Sequence, residues 1–183
     1  MRRTTGAILG GLGGAALGGA LLYRWSRHPK GNLGIKVDKA VTVAESPGGL
    51  YRFWRKLENL PHIMSNVESV RTIDDRRSHW AVKAPGGTRI EWDAEIINDI
   101  PGELIAWRTL EGQVAHAGSV RFEPTVDGQT RIRVSLQYDP PAGELGHGVA
   151  ALLGADAGRQ IAQDLDTFKM AWERGTLADR VPW

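Results

Sequence analysis

The sequence predicts an α+β domain: one strand, two short helices, about six further antiparallel strands and one long C-terminal helix. Two observations carry most of that expectation. Residues 88–97 and 130–138 alternate apolar and polar side chains with period two, as strands of a sheet with one dry and one wet face do. Ile161, Leu165, Phe168 and Trp172 recur at four-, three- and four-residue spacing, as one face of a helix does. A third observation, the uncharged stretch 6–23, adds an N-terminal transmembrane helix ahead of the domain.

That stretch reads GAILGGLGGAALGGALLY, with glycines every fourth residue at Gly6, Gly10, Gly14 and Gly18. Glycine costs a helix in water about 1 kcal/mol relative to alanine, whereas in a bilayer small residues let helix backbones approach closely. Eighteen helical residues span roughly 27 Å, just short of a hydrocarbon core of about 30 Å. Arg2 and Arg3 flank one end, and Arg24, Arg27 and Lys30 the other, with Tyr23 and Trp25 where an aromatic belt lies. The expectation is a glycine-zipper anchor over 1–23, able to form a homo-oligomer through its glycine face. A cleaved signal peptide, a flexible Gly/Ala tail and a helix lying in the interface are the competing readings. Against the first, no clear A-x-A site follows and Arg24 comes at once. The flanking charges tie, so the side of the membrane stays open.

Residues 24–34 are a short polar linker. The first strand is expected over 36–44, with Val37, Val41 and Val43 on one side. Ser46 can cap a helix that Pro47 opens, and Leu50, Phe53, Trp54 and Leu57 form its apolar stripe. Asn59 reads as the cap of a second, very short helix over 60–64, with Pro61 near its start. Strands follow at 67–73, 79–84, 88–97, 104–110, 114–122 and 130–138. The turns are marked by Pro85-Gly86-Gly87, Ile100-Pro101-Gly102-Glu103 and Val126-Asp127-Gly128. On the 88–97 strand Ile90, Trp92, Ala94 and Ile96 face one way, and Arg89, Glu91, Asp93 and Glu95 the other. On the last strand Ile132, Val134, Leu136 and Tyr138 are expected inward. Asp139-Pro140-Pro141 ends the sheet, and 144–153 reads as a weak helix diluted by Gly146 and Gly148. From Asp156, a candidate N-cap, a strong helix runs to Arg174, where Gly175 stops it. The organisation is thus an anchor (1–23), a linker (24–34), one domain (35–175) and a short tail (176–183).

The sequence pI is 9.1, but the basicity is local. The first thirty residues hold five Arg/Lys and no Asp/Glu, leaving 18 basic and 21 acidic residues in the remainder. A domain of net −3 with no basic run is a poor phosphate binder, so nucleic acid is not an expected partner. The absence of cysteine excludes disulfides, thiolate catalysis and thiolate metal ligands. Seven tryptophans point to an interior lined with large rings.

Particular blocks carry a family resemblance. FWRKLENLPHIMSNVESVR (53–71) resembles the first-helix signature of the polyketide cyclase/dehydrase and coenzyme-Q-binding START group, in which a Phe leads into Glu-Asn-Leu-Pro and the second strand. SHWAVKAPGG, EWDAEI, PGELIAWRTLEG, GSVRFEP and LDTFKMAWERG resemble further blocks of bacterial members. The resemblance covers roughly 35–175 and is to the SRPBCC, or START-like, superfamily. It implies a helix-grip fold: a curved antiparallel sheet of about seven strands wrapped around the long C-terminal helix, enclosing a deep apolar cavity. It also implies a hydrophobic small-molecule ligand (lipid, quinone or polyketide-like), to which the anchor adds membrane lipid as an expected partner. With the anchor, the expected location is single-pass in a bacterial inner membrane.

The candidate cavity residues are Phe53, Trp54, Ile63, Met64, Trp80, Trp92, Trp107, His116, Phe122, Tyr138, Val149 and Leu153. His116 shares the parity of Val120 and Phe122 and is the one histidine a strand would point inward. His116, Arg108 or Tyr138 would orient the ligand's polar end, and segments 47–64 and 144–153 would form the gate. His28, His62, His79 and His147 read as flank or surface residues. No histidine pair has metal-ligand spacing, and there is no G-x-S-x-G, phosphate-binding loop or dinucleotide fingerprint. No catalytic residue, metal or cofactor is therefore expected. Arg89, Arg131 and Arg133 are expected to pair with Glu91, Asp93 and Glu95 across strands. Three function classes remain: a binding or carrier protein, a cyclase/dehydrase-type enzyme, and a structural module that oligomerises through the anchor.

Overall fold

The computed structural model describes residues 35–83, 87–112, 115–139 and 157–177. The anchor with Gly6, Gly10, Gly14 and Gly18, the linker, the 144–153 segment with Val149 and Leu153, and Asp156 lie outside the described residues. Among the described residues no helix is long and apolar enough to cross a membrane.

Seven strands form one antiparallel sheet: β1 (Ile35–Val43), β2 (Val67–Thr72), β3 (Arg77–Lys83), β4 (Arg89–Ile100), β5 (Leu104–Gly112), β6 (Ala115–Pro124) and β7 (Thr130–Asp139). Their order is β1-β7-β6-β5-β4-β3-β2. Helix α1 (Pro47–Arg55) and a 3-10 helix (Leu57–His62) follow β1, and helix α2 (Ala157–Glu173) closes the domain. This is the helix-grip arrangement, a curled sheet with a C-terminal helix. Register shifts at Asp93/Ala94 and Ile96/Asn98 put two irregularities into the β4–β5 ladder, and such bulges bend and twist a sheet locally.

Local chemistry sets the element ends. The Ser46 hydroxyl accepts from the Gly49 N–H at 3.2 Å, with Pro47 in the first turn of α1. Strand β3 starts at Arg77, two residues before the expected start. The Asp74 carboxylate closes the turn before it, accepting from the backbone N–H of Arg76 (3.0 Å) and Arg77 (2.8 Å). Strand β4 runs on to Ile100 rather than 97, and its Asp99 pins α1 through Tyr51 Oη (2.5 Å) and Arg55 Nε (2.7 Å). Helix α2 ends as Gly175 predicts: at φ +71° it donates to the Trp172 carbonyl while Thr176 donates to Ala171, a Schellman motif.

Two expectations are corrected. Asn59 does not cap the second helix, which is a 3-10 helix preceded by Lys56. Buried within it, Asn59 turns back and its Nδ2 donates to the Phe53 carbonyl at 2.9 Å, satisfying an acceptor near the end of α1. Arg133 pairs with Asp38 and Glu123 rather than with β4, because β7 lies between β1 and β6 and two strands separate it from β4. Arg89 does pair with Glu91, at 2.7 Å.

The core sits between the sheet, α1 and α2. Phe168 of α2 meets Phe53 and Trp54 at ring-centroid distances of 5.4 and 5.7 Å, and Phe53 meets Trp172 edge-on at 5.3 Å. Val43, Leu50, Phe122, Ile132 and Leu165 fill the space around these rings.

Candidate functional site

Where this core ends, a hollow begins. Trp54, Ile96, Ile105, Val120 and Val134 belong to the packed cluster and also line a cavity of about 180 Å³. Among the described residues the remaining wall includes Trp80, Trp92, Ala94, Trp107 and His116 from β3–β6, Leu136 from β7, Met64, and Ala157 and Ile161 from α2. At about 24 cal/mol per Å³, leaving such a volume unfilled costs about 4 kcal/mol. That is a large share of the roughly 5–15 kcal/mol by which a domain is stable.

Rings arranged edge-on and stacked keep the space open. Trp80 and Trp92 are cross-strand partners, nearly parallel (10°) with centroids 6.2 Å apart. The Trp80 indole N–H donates to Ser78 Oγ at 2.8 Å. The Trp107 ring lies over its cross-strand partner Gly118, where a Cβ would come within 2.4 Å of the ring. A residue with no side chain is required there.

Several polar atoms in and beside the wall are unmatched. His116 is 7% exposed, and neither ring nitrogen has a partner. Burial takes its pKa down to about 4, so the imidazole is neutral at neutral pH. It meets Trp92 edge-to-face at 4.8 Å. The Nε1 atoms of Trp54 and Trp92 and the hydroxyl of Tyr138 are likewise buried without partners. Tyr138 is the cross-strand partner of His116, and burial raises its pKa. Buried polar groups in folded proteins are nearly always paired, so the unpartnered nitrogens of Trp54, Trp92 and His116, all three wall residues, stand out.

No lysine or arginine is among the described wall residues. Arg108, expected to orient a ligand, instead donates to Glu95 at 3.0 Å on a half-exposed surface. The second wall carboxylate, Asp164, accepts from Gln160 Nε2 at 3.1 Å, and the same amide donates to Ser65 Oγ at 2.7 Å. Met64, Gln160 and Asp164 also line a shallow groove on the outside that carries His62 and Met170. They therefore form the partition between cavity and surface, a seam between the 3-10 region and α2.

Of the expected cavity residues, Trp54, Met64, Trp80, Trp92, Trp107 and His116 surround the hollow. Phe53, Ile63 and Phe122 lie in the packed cluster instead. Tyr138 sits behind the wall with Val37 and Ala157. Val149 and Leu153 lie outside the described residues. The wall residues that sequence reasoning missed are mostly aliphatic, such as Ile105, Leu136 and Ile161. Their strand parity and helix stripe were the available signal. His79 is half-exposed, with Nδ1 2.7 Å from Asp93. Among the described residues no cluster of three or more metal-ligating side chains occurs.

Residues 43–168 match the family model for polyketide cyclase / dehydrase and lipid transport. An uncharacterized 17.2 kDa protein in the melC2-rnhH intergenic region of Streptomyces lincolnensis is 32% identical over 137 residues, 73% of this chain and 87% of that protein. The crystal structure of DR_A0006 from Deinococcus radiodurans is 34% identical with a TM-score of 0.63, over 77% of this chain and 99% of that one. A START superfamily protein from Mycobacterium smegmatis shares the fold at 16% identity and a TM-score of 0.60, over 76% and 99% of the two chains.

Proposed function

We propose, from the premise that this chain belongs to the polyketide cyclase / dehydrase and lipid transport family, that it binds or carries a hydrophobic small molecule in the cavity between the curled sheet and α2, tethered to a membrane and without catalysis. The ligand is a lipid, a quinone or a polyketide-like compound. The observation that carries the reading is the hollow itself: about 180 Å³ walled by four tryptophans and aliphatic side chains, kept at a cost to stability. Each Å² of apolar ligand surface that enters gains about 25 cal/mol. The tether rests on the uncharged glycine-repeat segment 6–23.

Purification of the full chain in mild detergent, organic extraction and mass spectrometry test the reading. A co-purifying apolar compound, with tryptophan fluorescence that changes when it is added back, is the expected result. An extract indistinguishable from a detergent blank, with no fluorescence response to quinones or fatty acids, would overturn it.

One observation favours a cyclase-type alternative. His116 is neutral and unpartnered at the wall, the state a general base needs before it takes a proton. Recovery of a compound differing in mass from the one supplied would favour that reading.

A further inference from the structure

The unmatched polar atoms of the wall have a definite sign. An indole N–H donates and never accepts, so Trp54 and Trp92 bring two obligate donors whose only polar complement is an acceptor. Neutral His116 offers one donor and one acceptor, edge-on to Trp92 and cross-strand from the Tyr138 hydroxyl. The charge of the wall is equally definite. Among the described residues it holds no cation, and its two carboxylates, Glu95 and Asp164, are bonded to Arg108 and Gln160. An anion entering would shed its water with no positive partner to meet it, and an ammonium group would face N–H dipoles end-on.

Resting on the binding reading above, we propose that Trp92 and His116, with Trp54 as a further donor, form a polar subsite for one uncharged oxygen acceptor of the ligand, a ketone, quinone or ester oxygen, and that carboxylate, phosphate and ammonium head groups are rejected. The oxygen supplies the acceptor that the Trp92 indole N–H lacks. Size sets a second limit. A cavity of about 150 Å³ takes benzene, so the 180 Å³ here holds one substituted ring or a short alkyl segment. A longer ligand continues past Met64 and Gln160.

Four probes of equal chain length separate the possibilities: nonane, 2-nonanone, nonanoate and nonyltrimethylammonium. They are measured against the full chain in phosphatidylcholine nanodiscs above neutral pH, with protein-free nanodiscs subtracting partition into lipid. The ketone should bind about tenfold tighter than nonane, the value of one hydrogen bond, and both charged probes more weakly than nonane. In the unsubstituted protein the ketone, and not nonane, should move the Trp92 indole N–H resonance downfield. Trp92→Phe and His116→Phe should each bring the ketone-to-nonane ratio close to one. Equal binding of ketone and nonane with no resonance shift would overturn the subsite and leave the cavity reading standing. Tighter binding of either charged probe than of the ketone would overturn the selectivity. Failure of all four to bind would overturn the binding reading and the subsite with it. The resonance readout needs no variant, so a substitution that fails to fold does not blunt the test.

Discussion

His116 is held neutral by burial alone, and that has a cost in acid. Its folded-state pKa, about 4, lies below the ordinary 6.5, so the unfolded chain takes up the proton more readily than the folded one. Stability is therefore fully present above about pH 6.5 and drains as pH falls toward about 4, by about 3 kcal/mol at the limit. His116→Phe removes that loss. Its urea midpoint relative to the unsubstituted protein should rise more at about pH 5 than at about pH 8; an equal offset at both would contradict the burial of a neutral ring. Gly118 makes an opposite kind of demand. A methyl group there meets the Trp107 ring at 2.4 Å, so Gly118→Ala should cost about 1–3 kcal/mol by overpacking and displace the ring toward the cavity. Equilibrium denaturation measures the cost, and the indole resonance of Trp107 reports the displacement.

At the scale of elements, α1 is tied at both ends by side chains, Ser46 before it and Asn59 beyond it. Asn59→Ala removes the amide that donates to the Phe53 carbonyl and should cost about 1 kcal/mol with an unchanged m-value. A loss within the error of the urea midpoint would mean that the carbonyl finds water. The two ties differ in how they could be read. Ser46-Pro47 is a local signal, legible because cap and helix adjoin in sequence. Asn59 before Leu60-Pro61 carries the same local signal, yet its amide is used on a carbonyl six residues back, a use that only the packed corner between two helices decides. Strands were legible for the reason that alternation is a local property. What alternation cannot reveal is position along a face. His116 and Phe122 share a face of β6, but six residues of strand separate them by roughly 20 Å. One stands at the hollow and the other in the packed core. The curl of the sheet decides which, and it arises from bulges with no sequence signature of their own.

For the whole molecule, stability and binding should be in opposition. Ala94 lines the cavity and is 2% exposed. Ala94→Leu should fill part of the hollow, raise stability by about 0.5–2 kcal/mol and weaken uptake of an apolar probe. Higher stability with undiminished uptake would place the binding elsewhere. The proposed tether makes its own prediction: the full chain should sediment with membranes and resist extraction at alkaline pH, and recovery in the soluble fraction would remove the tether while leaving the cavity untouched.

The seam at Gln160 bears on how such a protein would exchange what it holds. The Gln160 amide, steadied by Asp164 on its own helix, bonds Ser65 across it, and no strand has to part for that bond to break. On the proposed binding reading, a ligand would then be exchanged by a side-chain rearrangement while the sheet stays whole. Dwell time would then be set at that seam and tightness of hold deeper in, so each could be tuned without disturbing the other.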